Sequence, residues 1–260
     1  MSRDIIDEHL IAGLHVVALE RGGYPHEHAH PHVAAQVGTI SGLLEANYDG
    51  TLAMEDLLQR GDFAIGTVDG LAGELMVLDG EAFLADLDGD VSPVPGEVTT
   101  PFAVVCPWEE GSTVTASGLR EELLEVVREL GQGHPVLAIC IEGTFKQVAL
   151  RSVKRQSKPY PPLVVAVGEQ HEFREMETRG TILGFSFPAA LGGIEVPGEH
   201  LHFISNDRHR GGHVLDFDLR QGTVTVVIVE DLHVEVPAGF VFGKPEANQL
   251  SDIKTVEGGR

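Results

Sequence analysis

Beyond residue 158 the chain is almost nothing but strand. VVAVG, TILGFSF, HLHFIS, HVLDFDL, TVTVVIVE and HVEV follow one another closely. Each run is rich in β-branched or aromatic residues and is bounded by glycine or polar turn residues. Strands so close in sequence must pair antiparallel and share a buried face, so this part of the chain is expected to form a β-rich unit over 158–260. The preceding part is mixed. DFAIGTV, GELMVL and EAFLADL read as strands, the last two joined at Asp79-Gly80, a pair suited to a type I′ hairpin turn. TTPFAVVCPW reads as another strand, and VLAICIEG with FKQVALRSV as a further hairpin.

Three helices are expected in this first half. GLLEAN is capped by Ser41 and closed by Asp49-Gly50, and LAMEDLLQR is capped by Thr51 with Gly61 as its stop. The longest is LREELLEVVREL, in which Leu119, Leu123, Val126, Val127 and Leu130 recur at helical spacing, with Ser117 as cap and Gly131 as end. The three prolines of KPYPPL mark a linker near residue 158. The expected fold class is therefore α/β of the mixed α+β kind, with an α/β subdomain at 33–157 before the β-rich one. Residues 1–32 read as a separate arm, because His26, His28, His30 and His32 alternate around Pro25 and Pro31, and proline does not sit in a central strand.

Charge and cysteine usage narrow the partners. A net charge of −22 repels polyanions, which excludes nucleic acid and anionic membrane surfaces as expected partners. No run approaches the roughly 18 apolar residues that span a bilayer. Asp4, Asp7, Glu8 and His9 precede the first apolar stretch, unlike a secretory signal, so a cytoplasmic location is expected. Cys106 and Cys140 lie far apart in apolar, strand-like surroundings and read as two buried thiols, which suits a reducing compartment.

The richest segment is GEHLHFISNDRHRGGHVLDFD. Strand side chains two apart share a face, about 6–7 Å apart along the chain, so His200 and His202 point the same way. Gly211-Gly212 permits a sharp return that brings His213 alongside. Three neutral imidazoles leave a coordination position open, which is the logic of a catalytic zinc site. His209 shares its turn with Arg208 and Arg210, whose charges discourage a cation, and is assigned to the loop. The N-terminal histidines lack a scaffold to fix their geometry. From the residues alone, a metal centre and a packed histidine cluster both stay open.

GDFAIGTVDGLAGELMVLDGEAF, PVPGEVTTPFAVV, IEGTFKQVALRSVKRQSKPYPPL, RGTILGFSFPAALGGIEVPGEHLHFISNDRHRGGHVLDF and the terminal TVEG occur in this order. Together they resemble the α-acetolactate decarboxylases over roughly residues 34–257. The resemblance implies that His200, His202 and His213 ligate Zn2+ or another divalent metal. It also implies that Glu74 and Glu257 are the carboxylates at the site, Arg151 its arginine and Thr67 a nearby hydroxyl. The implied reaction is decarboxylation of a small 2-hydroxy-3-keto acid, 2-acetolactate, to acetoin and carbon dioxide through a metal-bound enediolate. A mixed sheet domain, a β-barrel-like metal-binding domain and a homodimer are implied with it. The family often has Thr-Arg-Thr where this chain has Leu150-Arg151-Ser152, and residues 1–32 match nothing in it. Without the resemblance, Glu74 would read as an exposed strand carboxylate, Arg151 as a surface arginine and Glu257 as a tail residue. The competing expectations are another three-histidine metal enzyme, such as a dioxygenase or hydrolase, and a non-catalytic metal or small-acid binding protein.

Overall fold

The computed structural model describes residues 15–20 and 32–235. Runs of apolar residues build two large sheets, and FAIGT and FAVVC of the first are buried at every position because that sheet is covered on both faces. In the first, the strand order is β1 (His15–Glu20), β15 (Asp231–Glu235), β2 (Val33–Val37), β9 (Phe102–Cys106), β4 (Phe63–Thr67), β5 (Glu74–Leu78), β6 (Glu81–Ala85) and β7 (Val91–Pro93). β15 lies parallel to both of its neighbours, and the remaining pairs are antiparallel. The second sheet is antiparallel, in the order β10 (Ser112–Leu119), β14 (Gly211–Ile228), β11 (Leu137–Ser152), β12 (His171–Phe187) and β13 (Gly198–Ser205). The start of β14 also pairs with β13, so β14, β11, β12 and β13 form a ring of pairings. Two-residue strands β3 (Leu52–Ala53) and β8 (Thr99–Thr100) make a small separate ladder. Sheet membership crosses residue 158: β10 and β11 precede it yet pair with later strands, and β15 returns to the first sheet.

The mixed α+β class holds, and several local expectations need correction. Asp79 and Gly80 both have positive φ, 56° and 76°, as the type I′ turn between β5 and β6 requires. The expected hairpin within 137–152 is one continuous 16-residue strand. Gly143 faces Gly222 and Gly180 across the two neighbouring ladders, and a Cβ there would sit 2.8 Å from the Gly222 Cα. This glycine permits close backbone approach within a sheet and makes no turn. HVLDFDL and TVTVVIVE likewise join in one strand, β14. VVAVG is not a strand; Leu163–Val167 is a short helix, α4, that starts on Pro162.

The caps differ as well. Helix α1 (Ile40–Leu44) is capped by Thr39, whose hydroxyl accepts from the Gly42 N–H, and not by Ser41. Helix α2 (Met54–Leu58) starts on Ala53 without a side-chain cap. Helix α3 (Arg120–Leu130) ends at Gly131 as expected, but Ser117 belongs to β10. Its first turn is held by Glu122, whose carboxylate accepts from the Leu119 N–H at 2.8 Å. Among the described residues no helix is long and apolar enough to cross a membrane.

Phe63, Ile65, Met76 and Val104 of the first sheet pack against Cys140, Leu183, Phe185 and Val227 of the second. On the far face of the second sheet, Leu123 and Val127 of α3 cover Ile139, Phe145, Phe203 and Leu219. A smaller cluster gathers Ile40, Leu43, Phe102, Leu163 and Val167, so that α1 and α4 stand together at one end of the sheets. Cys106 and Cys140 are free and buried, as expected.

Candidate active site

Strand register brings the histidines together. On β13, His200 and His202 alternate with Leu201 and Phe203, which face α3. His202 is therefore on the inner face, opposite His213 at the start of β14, and His213 is in turn opposite Arg151 on β11. Residues directly opposite in antiparallel register point to the same face, so one cross-strand row presents Arg151, His213 and His202 toward the first sheet. The imidazole ring centroids are 5.1 Å apart for His200–His202, 5.2 Å for His200–His213 and 5.5 Å for His202–His213. One ring nitrogen from each lies within 4.8 Å of the other two.

The first sheet supplies the opposing wall. Glu74 opens β5, and its carboxylate lies 3.4 Å from His202 Nε2 and 3.7 Å from the Arg151 guanidinium. Both charged residues are buried, Glu74 at 6% and Arg151 at 4% exposure, so neither is the surface group its local sequence suggests. Thr67 closes β4 and donates its hydroxyl hydrogen to the Gly73 carbonyl at 2.8 Å, bracing the backbone just before Glu74. The Thr67 carbonyl accepts from Thr100 Oγ1 at 2.7 Å. Glu257 and His26, His28 and His30 lie outside the described residues. His32 is described and exposed, with its backbone N–H on Glu109 at 3.0 Å, away from this centre.

Burial sets the electrostatics. Loss of solvent, with the Arg151 charge adding to it, pulls His200 down to about 3. His202 and His213 are also held well below the usual imidazole range, first by burial and then by neighbouring positive groups. All three are neutral at pH 7, the form that offers a lone pair to a cation. His202 Nδ1 is 2.8 Å from the Leu75 carbonyl; donation there fixes the tautomer and leaves Nε2 as the acceptor facing inward. Among the described residues neither His202 Nε2 nor His200 Nδ1 has a hydrogen-bond partner. Buried lone pairs without donors are costly unless something positive meets them, and this donor set fits a divalent metal.

A cleft leads to the centre between Thr67, Glu74 and Arg151 on one side and Ile40, Leu43, Leu71, Phe102, Leu163 and Val167 on the other. The sequence reading missed this apolar wall. Its residues lie in α1, α4, the start of β9 and the β4–β5 connection, where their patterns mark only ordinary packing. The Leu75 carbonyl was equally hidden, because any residue at that position supplies one.

Two packed sheets, a buried three-histidine centre and a glutamate–arginine pair beneath an apolar cleft define a class of small-molecule enzyme with a metal-competent site. A sequence profile described as alpha-acetolactate decarboxylase matches residues 35–248, and the chain belongs to that family. An alpha-acetolactate decarboxylase of Methanosarcina mazei is 41% identical over 86% of this chain and 80% of its own length. One from Bacillus subtilis is 38% identical over 86% of this chain and 90% of its own. The crystal structure of alpha-acetolactate decarboxylase from Bacillus subtilis superposes with a TM-score of 0.83, at 36% identity, over 87% of this chain and 99% of that one. The family's reaction, decarboxylation of acetolactate, thereby prevails over the dioxygenase, hydrolase and binding-protein readings of three histidines.

Proposed function

We propose that the chain decarboxylates 2-acetolactate to acetoin at the centre formed by His200, His202 and His213, with Arg151 and Glu74 handling charge and protons. The observation that carries this reading is the burial of three neutral imidazoles against an ion-paired glutamate and arginine in one cleft. A divalent ion held by the imidazoles, zinc in this reading, would place positive charge beside the ketone oxygen where negative charge develops.

Arg151 orients the substrate carboxylate; a guanidinium is a planar, charged hydrogen-bond fork that suits binding a carboxylate better than proton transfer. As the bond to the carboxyl carbon breaks, its electron pair moves into the adjoining carbon framework and carbon dioxide leaves. Glu74 faces both His202 and Arg151, a position from which it can take the hydroxyl proton and return one to carbon. Glu257, assigned by the family resemblance alone, would be the second carboxylate. Thr67 spends its proton on Gly73 and so acts through the position of Glu74. The wall of Leu43, Phe102, Leu163 and Val167 receives the two methyl groups and keeps water from the reacting carbons.

Purified protein mixed with racemic acetolactate should release acetoin, and a strong chelator should stop it. Undiminished turnover after full chelation would remove the metal from the account. A chain truncated after Leu250 should lose turnover; full activity there would free Glu257 of its role. The same reading carries a homodimer, to be checked by sedimentation, and a reducing cytoplasm, which suits two free, buried thiols.

A further inference from the structure

The turn between His202 and His213 is bolted to both sheets by one arginine. Arg210 Nε donates to Glu175 on β12 at 2.8 Å, and its Nη1 pairs with Asp90, which precedes β7 of the first sheet. The guanidinium carbon lies 5.2 Å from the Phe173 ring centroid, a cation–π stack. Backbone bonds run beside it, Gly211 N–H to the Gly89 carbonyl and Val91 N–H to the His209 carbonyl, both 3.0 Å. Within the turn, Ser205 Oγ accepts from the Arg210 N–H at 2.9 Å and donates to Asp207 at 2.6 Å.

The Phe173 ring also reaches the strand that bears the ligand. A Cβ on Gly212 would sit 3.3 Å from Phe173 Cζ and 2.9 Å from the Arg151 carbonyl, so ring and strand are in close contact one residue before His213. A continuous path of packed groups runs from the Arg210 guanidinium through Phe173 and Gly212 to His213. We propose that Arg210 is a positioning residue for the histidine centre, holding the Ser205–Gly211 return so that His213 meets His200 and His202. This rests on the reading of those histidines as metal ligands.

A general surface ion pair would contribute little here, because exposed charges are screened by water and salt. Arg210 differs in tying three elements at once through a planar fork that lysine cannot reproduce. Outer partners of metal ligands typically change affinity by about 10–100-fold when removed.

The test is Co2+ binding to metal-free protein, followed by its visible ligand-field bands and by chelator competition. Arg210→Ala should weaken Co2+ about tenfold and shift the bands, Arg210→Lys should recover only part of both, and Arg220→Ala should match the parent. Arg220 pairs with the exposed Glu177 elsewhere on the second sheet and serves as the control. Should Arg210→Ala fail to fold, Asp90→Asn and Glu175→Gln each remove one bond and should give smaller shifts of the same sign. Parental affinity and spectrum in Arg210→Ala, or in both milder variants where it does not fold, would overturn the proposal even if thermal stability falls. A parent protein that binds no Co2+ would bring down the ligand assignment itself, and the proposal with it.

Discussion

At the residue scale, each member of the centre is defined by what its other atoms are already doing. His202 commits one nitrogen to the Leu75 carbonyl and is left with one for a cation. Arg151 stands beside His213 in register but meets Glu74 from the other sheet, so its charge is available at the cleft without ligating anything. The two should therefore fail differently. His202→Ala should lose bound metal and turnover together. Arg151→Ala should retain stoichiometric metal while turnover falls on the order of a hundredfold or more, the scale of losing one transition-state contact. Elemental analysis beside steady-state rates separates them, and loss of metal in Arg151→Ala would reverse the assignment. The histidines were legible in sequence because alternation fixes a strand face and Gly-Gly fixes a return. The burial of Glu74 and Arg151 was not legible, since their companions come from the opposite sheet and only the family resemblance singled them out.

At the element scale, glycines decide how closely the strands can pass. The turn expected at Gly143 failed because a glycine in a strand interior can mark backbone approach as readily as a break. Hairpin glycines such as Gly80 were readable because Asp-Gly has a local conformational demand, whereas Gly143 answers to strands distant in sequence. The helix caps failed for a related reason. Ser41, the expected cap, lies inside α1, and the extended backbone at Thr39 sets a hydroxyl against the Gly42 N–H instead. Gly184 on β12 shows the functional side of this rule. A Cβ there would run into the His200 carbonyl oxygen, and 3.0 Å from the Leu201 Cα. Gly184→Ala should push β13 outward, costing about 1–3 kcal/mol of stability as overpacking does, and should weaken metal binding in parallel. Urea midpoints and chelator competition measure the two, and a variant unchanged in both would show that β13 yields without cost.

At the scale of the whole molecule, two electrostatic effects oppose each other as pH falls, and their windows decide which prevails. With 40 acidic and 18 basic residues, protonating carboxylates relieves repulsion and favours the compact state. That relief comes mainly near the carboxylate range, about pH 4. The buried histidines act earlier. Their folded-state values lie below the unfolded value of about 6.5, so the unfolded chain takes up protons there while the metal-free folded chain does not. Stability then rises with pH wherever the unfolded state binds more protons. The metal-free protein should lose stability as pH drops below about 6.5, continuing toward about 3 for His200. Each histidine contributes up to about 1.4 kcal/mol per pH unit. Three together approach about 4 kcal/mol per unit, a large part of a typical domain stability of about 5–15 kcal/mol. Between pH 6.5 and 5.5 this loss should exceed any gain from carboxylates, of which only a few per cent are protonated there. Urea unfolding of chelator-treated protein at pH 7.5, 6.5 and 5.5 should show the midpoint falling slightly over the first step and about three times as much over the second. His213→Gln, with no proton to take up at that position, should fall less steeply. A midpoint that stays level or rises down to pH 5.5 would mean that the three imidazoles are not held neutral inside the folded chain.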